Sequence, residues 1–211
     1  MPILYALARC PCPAAFAFLA ENPPRMTVTV PLVRHPATPA SAPAAITVAL
    51  EDAGRDEAGG LIVRFACRPE TFAESTFIPA WSAGEGAGAR RDELWRHTCF
   101  ELFIAGSSGG GSSSGYREFN FAPDRRWAAY TFSGYRKGMA PLPTPAPWLT
   151  VKLDSPGLSA QLAGAALPPR PWRIGLSAVI ETATGLSYWA LRHPPGPPDF
   201  HHPDNFALEW S

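Results

Sequence analysis

Three runs decide the fold: Thr98-Cys-Phe-Glu-Leu-Phe-Ile104, Tyr116-Arg-Glu-Phe-Asn-Phe-Ala122 and Trp127-Ala-Ala-Tyr-Thr-Phe132. Each is short, rich in aromatic and apolar residues, and lacks a 3.6-residue period, which is the pattern of a β-strand. Pro123-Asp-Arg-Arg126 lies between the last two and carries turn chemistry, so they form a hairpin. Pairing Ala122 with Trp127 sets Phe119 opposite Tyr130 and Phe121 opposite Ala128. That register predicts a core face of Phe119, Phe121, Tyr130 and Phe132, with Glu118, Asn120, Trp127 and Thr131 on the other side. In the preceding strand Phe100, Leu102 and Ile104 share one side, and Cys99, Glu101 and Phe103 the other. The Gly/Ser stretch 105–115 joins two strands of one sheet and reads as a flexible loop rather than a domain linker.

The same reading extends outward. Strand-like runs recur at 27–33, 46–50, 61–67, 149–153, 158–162, 172–181, 186–191 and 205–209, bounded by Pro, Gly, Asp and Ser. Many short strands without intervening helices predict an all-β antiparallel sandwich of immunoglobulin-like or jelly-roll type, formed by one domain over 26–211. Pro-rich stretches at 141–148, 167–172 and 194–198 read as rigid crossovers. Composition agrees with this. The 211 residues hold 25 Pro and 18 Gly, too many for a helix bundle, because each interior Pro breaks a helix.

Net charge is zero, which disfavours a nucleic-acid binder that relies on phosphate neutralisation. No apolar run reaches the roughly 18 residues of a membrane span. Residues 1–25 make a poor signal peptide: no Lys or Arg precedes the apolar stretch, and Arg9, Pro11 and Pro13 interrupt it. They are expected to be a disordered extension or an over-long start, with a cytoplasmic location. Export to the periplasm is the alternative if this segment acts as a signal. Cys10 and Cys12 form a lone C-x-C, and Cys67 and Cys99 stand in strand-like surroundings. Nothing has the doubled C-x-x-C of a zinc site.

Several motifs resemble the bacterial DOMON-like proteins, relatives of DOMON domains and of family 9 carbohydrate-binding modules. They are Leu94-Trp-Arg-His-Thr-Cys-Phe-Glu-Leu-Phe-Ile104, Tyr116-Arg-Glu-Phe-Asn-Phe-Ala-Pro-Asp124, Trp127-Ala-Ala-Tyr130 and Gly134-Tyr-Arg-Lys-Gly-Met139, followed by Ile174-Gly-Leu-Ser-Ala-Val-Ile-Glu181, Ser187-Tyr-Trp-Ala-Leu191 and His193-Pro-Pro-Gly-Pro-Pro-Asp-Phe-His-His202. His35-Pro-Ala-Thr-Pro39 matches the opening usual in that group, and the resemblance covers about residues 30–210. It implies a β-sandwich that binds a small ligand, sugar in some members and haem in others.

The residues themselves give three readings of function. Sugar rings stack on Trp and Tyr while polar side chains bond their hydroxyls, and Trp95, Trp127, Trp148, Trp172, Trp189, Tyr135 and Tyr188 are available. The ligand-binding candidates are Trp95, His97, Glu101, Arg117, Glu118, Trp127 and Tyr135. In the family 9 modules a Trp pair sandwiches the sugar. A solvated outer face is the rival reading for Glu101 and Glu118. The second reading is a non-covalent haem b with Met139 and His201 or His202 as candidate axial ligands, and a redox partner to match. The third is a purely structural domain, in which an inward Arg117 pairs with Glu101 or Glu181. No metal site is expected, because the adjacent His201 and His202 point to opposite sides of an extended segment. Glu101 with Glu118 is a conceivable catalytic pair outside any recognised motif, and the chain is expected not to be an enzyme.

Overall fold

The computed structural model describes residues 26–38, 45–53, 59–67, 88–106, 115–152, 157–182 and 185–211. The expected N-terminal extension, Cys10, Cys12 and residues 107–114 of the Gly/Ser loop lie outside the described residues.

Among the described residues twelve strands form: β1 (Thr27–Arg34), β2 (Ile46–Asp52), β3 (Gly60–Cys67), β4 (Cys99–Ala105), β5 (Tyr116–Phe121), β6 (Trp127–Phe132), β7 (Ala140–Pro141), β8 (Trp148–Lys152), β9 (Gly157–Ala163), β10 (Trp172–Thr182), β11 (Gly185–Ala190) and β12 (Leu208–Trp210). Pairings between these strands are all antiparallel. Short 3₁₀ turns at Leu94–Arg96, Gly164–Ala166 and Pro203–Asn205 are the helical content of the described residues. The expected all-β class holds, and the proline-broken segments show why: they fall between strands or at strand ends, where a missing N–H costs little.

The strands follow one hydrogen-bonded path, β7-β6-β5-β4-β10-β11-β1-β2-β3-β9-β8, with β12 beside the start of β10. β1 is the hinge of this path. Its residues Thr27–Leu32 pair with β2, whereas Val33 and Arg34 pair with β11. The path thus folds into two faces around one interior, where Phe65 of β3 meets Phe100 of β4 with ring centroids 5.0 Å apart. β2 shows the underlying pattern: Ile46, Val48 and Leu50 point inward and are fully buried, while Thr47 and Ala49 alternate outward.

β4 departs from this pattern. From Cys99 to Ile104 every residue is buried, so both faces of the sheet are covered at this point. Phe100, Leu102 and Ile104 enter the main core, as the alternation predicts, whereas Cys99 and Phe103 join a second cluster with Leu94, Tyr116, Ala122, Ala128, Tyr130, Phe132 and Phe206.

The hairpin register differs by one residue from the sequence expectation. Phe121, not Ala122, pairs with Trp127, and Glu118 stands opposite Tyr130. The loop is three residues long: Ala122 N–H donates to Arg126 O at 2.9 Å, Arg125 N–H donates to Ala122 O at 2.9 Å, and Arg125 adopts a left-handed φ of 68°. The expected register left a four-residue loop, 123–126; a type I turn closed by a left-handed residue needs one fewer, and a one-residue slip exchanges the faces of one partner. Phe119 and Phe121 keep their main-core positions. Trp127 and Ala129 now join them, and Tyr130 and Phe132 move to the opposite face beside Glu118.

Candidate functional site

Alternation along β4 and β5 puts Glu101 and Glu118 on the same face, as the sequence predicts. One cross-strand row runs Ser177, Glu101, Asn120, Ala128, and the next runs Gly175, Phe103, Glu118, Tyr130. The two acids are therefore diagonal neighbours on adjacent strands. The face is not solvated. Glu101 is 3 % exposed and Glu118 4 %.

The cover is the irregular segment that follows β11, residues 191–207. Asn205, fully buried, anchors it: its Nδ2 donates to Phe200 O at 2.9 Å and its Oδ1 accepts from Leu191 N–H at 3.2 Å. Gly175 lies beneath, and a Cβ there would sit 3.0 Å from Asn205 Nδ2 and 3.3 Å from Phe103 Cβ. The glycine is what lets the segment lie directly on the sheet. His201 then packs edge-on against Phe103 and Phe132 at 5.3 and 5.1 Å.

Between cover and sheet lies a cavity of about 370 Å³ lined by Trp95, Glu101, Glu118, Phe132, Arg136, Met139, Val179, Tyr188, Pro198, Phe200 and His201. This is the size of a small-ligand pocket, apolar-walled with few polar groups. Ser177 Oγ donates to Glu101 Oε2 at 2.9 Å, and Asn120 Nδ2 donates to Glu118 Oε1 at 2.7 Å. Glu118 Oε2 has no hydrogen-bond partner among the described residues. Burial raises both carboxyls, Glu101 up to about 8, with a further rise from the negative charge of Glu118, and Glu118 up to about 7.

His201 is neutral, its imidazole pushed down to about 4 by burial. Tyr116 Oη accepts from the Arg136 backbone N–H at 3.4 Å and shares a hydrogen bond with His201 Nδ1 at 2.7 Å. His201 Nε2 faces Glu118 Oε2 at 3.9 Å, too far for a hydrogen bond and without a charge to make an ion pair. Arg136 is held by Asp199, which accepts from its Nε at 3.2 Å and its Nη2 at 2.8 Å and also from Tyr135 Oη.

Of the residues predicted from sequence, Trp95, Glu101, Glu118, Met139 and His201 line this cavity. Trp95 stands edge-on to Tyr130 at 5.8 Å. Tyr135 acts one step back, through Asp199. Three others are corrected. Trp127 is a main-core residue, 6 % exposed, whose Nε1 donates to Gly88 O at 3.0 Å. Arg117 lies on the face opposite Glu118, so the expected pairs with Glu101 or Glu181 do not form. Glu101 bonds Ser177, and Glu181 Oε2 bonds His97 Nδ1 at 2.9 Å. His97 is accordingly committed to Glu181, outside the cavity, with a largely exposed ring. Sequence reasoning missed Arg136, Phe132, Val179 and Phe200 as wall residues. Arg136 and Phe200 sit in turns, which carry no period, whereas Phe132 and Val179 lie in β6 and β10, where an apolar strand residue reads as core.

A haem does not fit this donor set. Met139 and His201 share the cavity, yet His201 Nδ1 is bonded to Tyr116 and its Nε2 faces the Glu118 carboxyl. An axial imidazole needs one ring nitrogen aimed at open space above the macrocycle. His202 is used elsewhere, its Nδ1 accepting from Asp204 N–H at 3.3 Å as the cap of the last 3₁₀ turn. Among the described residues no group of three or more His, Cys, Asp or Glu is placed to hold a metal ion. Among the described residues no helix is long and apolar enough to cross a membrane.

Comparison with protein-family models, with curated proteins and with solved structures finds no match to this chain.

Proposed function

We propose that the chain is a binding module for a small polar ring compound, carbohydrate-like in size and shape, held in the cavity over Glu101 and Glu118. One observation carries this reading: Glu118 Oε2, buried and unpartnered, lies at the floor of an aromatic-walled cavity of about 370 Å³. A buried acceptor without a donor costs about 1–3 kcal/mol, which a ligand donor would recover. Trp95, Tyr188 and Phe200 supply flat apolar faces against which a ring's C–H groups pack, and the carboxyls supply acceptors for its polar edge. Ser177 and Asn120 hold the two acids from the sheet, which leaves Glu118 Oε2 free to accept from a ligand. The resemblance to DOMON-like and family 9 modules points the same way.

Trp95→Ala tests this directly. Titration of a panel of mono- and disaccharides, followed by tryptophan fluorescence or calorimetry, gives binding in the parent protein that Trp95→Ala abolishes. The melting temperature stays nearly unchanged, because Trp95 is only partly buried at the edge of the second cluster. A parent protein that responds to no member of the panel overturns the reading.

A further inference from the structure

We propose that the ligand of this cavity carries a cationic nitrogen, an alkylammonium group that sits against Glu118 and Glu101 while its ring packs on Trp95 and Tyr188. This rests on the cavity being the binding site and adds the charge of its occupant.

The argument is one of unmatched charge. Two carboxyls line the cavity, and every side chain that bonds them is neutral: Ser177 for Glu101 and Asn120 for Glu118. Two basic side chains share the wall, Arg136 and His201. Arg136 bonds Asp199 and reaches Glu118 only through its field, which lowers that carboxyl without offsetting burial, and His201 is neutral and 3.9 Å from Glu118. The cavity as built thus holds two acids and no free base. Buried carboxylates are retained when something pairs them, because an isolated ion in apolar surroundings costs far more than a bonded one. A sugar hydroxyl satisfies one lone pair of Glu118. An ammonium satisfies the lone pair and the charge, through hydrogen bonds about twice as strong, and it adds attraction to the face of Trp95.

Occupancy by a cation competes with protonation of the glutamates, so binding strengthens as pH rises. The other titratable or charged groups that face the pair do not change state across that range. Cys99 of β4 is held well above its usual value by burial, Tyr116 of β5 is pushed up to about 12, and Tyr130 of β6, bonded to Asp92, is raised further. His201 and Asp199 of the covering segment are held low, and Arg136 is held charged by Asp199.

Calorimetry on the full chain with four probes decides the matter: cyclohexylammonium against cyclohexanol, and glucosamine against glucose. Cyclohexylammonium binds at least about tenfold more tightly than cyclohexanol, the least that a charge-assisted bond supplies. Its affinity rises between pH 6 and 9, with protons released to buffer. Glu118→Gln removes the preference for the amine, and Glu101→Gln, read the same way, serves if the first variant is poorly folded. Equal binding of amine and alcohol, or an amine preference that survives both substitutions, overturns the inference. Glucose bound at a Trp95-dependent site without preference for the amines leaves the cavity standing as the site and removes only the cation. Silence from all four probes overturns both.

Discussion

Glu101 and Glu118 tie stability to pH. Each holds its proton more tightly folded than unfolded, because burial penalises the charged form. Their contribution to stability is complete below the ordinary glutamate range and is lost as pH rises to about 8, since the unfolded chain has by then shed protons that the folded chain keeps. His201 runs the other way: its lowered value makes stability fall as pH drops below 6.5 toward about 4. Between pH 6.5 and 8 the two glutamates set the slope among the described residues. The melting temperature is therefore predicted to fall across that window, by roughly 2–4 °C per kcal/mol for a chain of this size. Glu101→Gln flattens the slope, and a thermal melt series over pH checks it. The two tryptophans named at the outset separate at this scale too. Trp95→Ala leaves the melt nearly unchanged, whereas Trp127→Ala opens the main core and costs about 3–5 kcal/mol in chemical denaturation.

At the scale of elements, the segment 191–207 is a lid anchored by two buried side chains, Asn205 and Phe206, and tied at its rim by the Arg136–Asp199 and Tyr116–His201 bonds. Asn205 joins Leu191 to Phe200, and Gly175 leaves it the space. Gly175→Ala puts a methyl against Asn205 and Phe103, both of which would have to give. The predicted result is faster hydrogen exchange in 191–207, with β2 and β3 protected as before, and weaker ligand binding, since Phe200 and His201 lose their seat. Unchanged exchange in that segment would show that it rests on other contacts. A second element, the 133–139 turn, carries Arg136 into the cavity wall. Gly138 adopts φ 64°, and a Cβ there would meet Ser133 Oγ at 2.3 Å, so only glycine closes this turn without a shift.

For the whole molecule, β1 and the main core join the two faces into one cooperative unit. β1 pairs with β2 on one side and β11 on the other, and the core draws on β2, β3 and β9 as well as β4, β5 and β10. Leu50→Ala, far from the cavity in the sheet order, is predicted to cost about 2–5 kcal/mol and to lower the whole transition without splitting it. Denaturation followed by tryptophan fluorescence and by circular dichroism should give coincident curves in the variant. Two separated transitions would mean that the faces unfold independently.

Most strand positions, and the shared face of Glu101 and Glu118, followed from alternation, because the side-chain period of a strand is local; the short β7 was not foreseen, and the last strand runs Leu208–Trp210 where 205–209 was expected. Cys99, Glu101 and Phe103 were assigned to one side by that rule, and they lie there. The register of the β5–β6 hairpin did not follow. It turns on a left-handed Arg125, a conformation that Arg rarely adopts and that its sequence neighbours do not announce. That single residue decided whether Trp127 faced a ligand or the core. The burial of the glutamates was also beyond the sequence, since alternation says which residues share a face and not what covers it. The cover is irregular chain, Pro-rich and without a period, held by Asn205 through bonds to residues 5 and 14 positions away. Only the tertiary structure brings that segment over β4, β5 and β10, and so turns an acidic sheet face into a pocket.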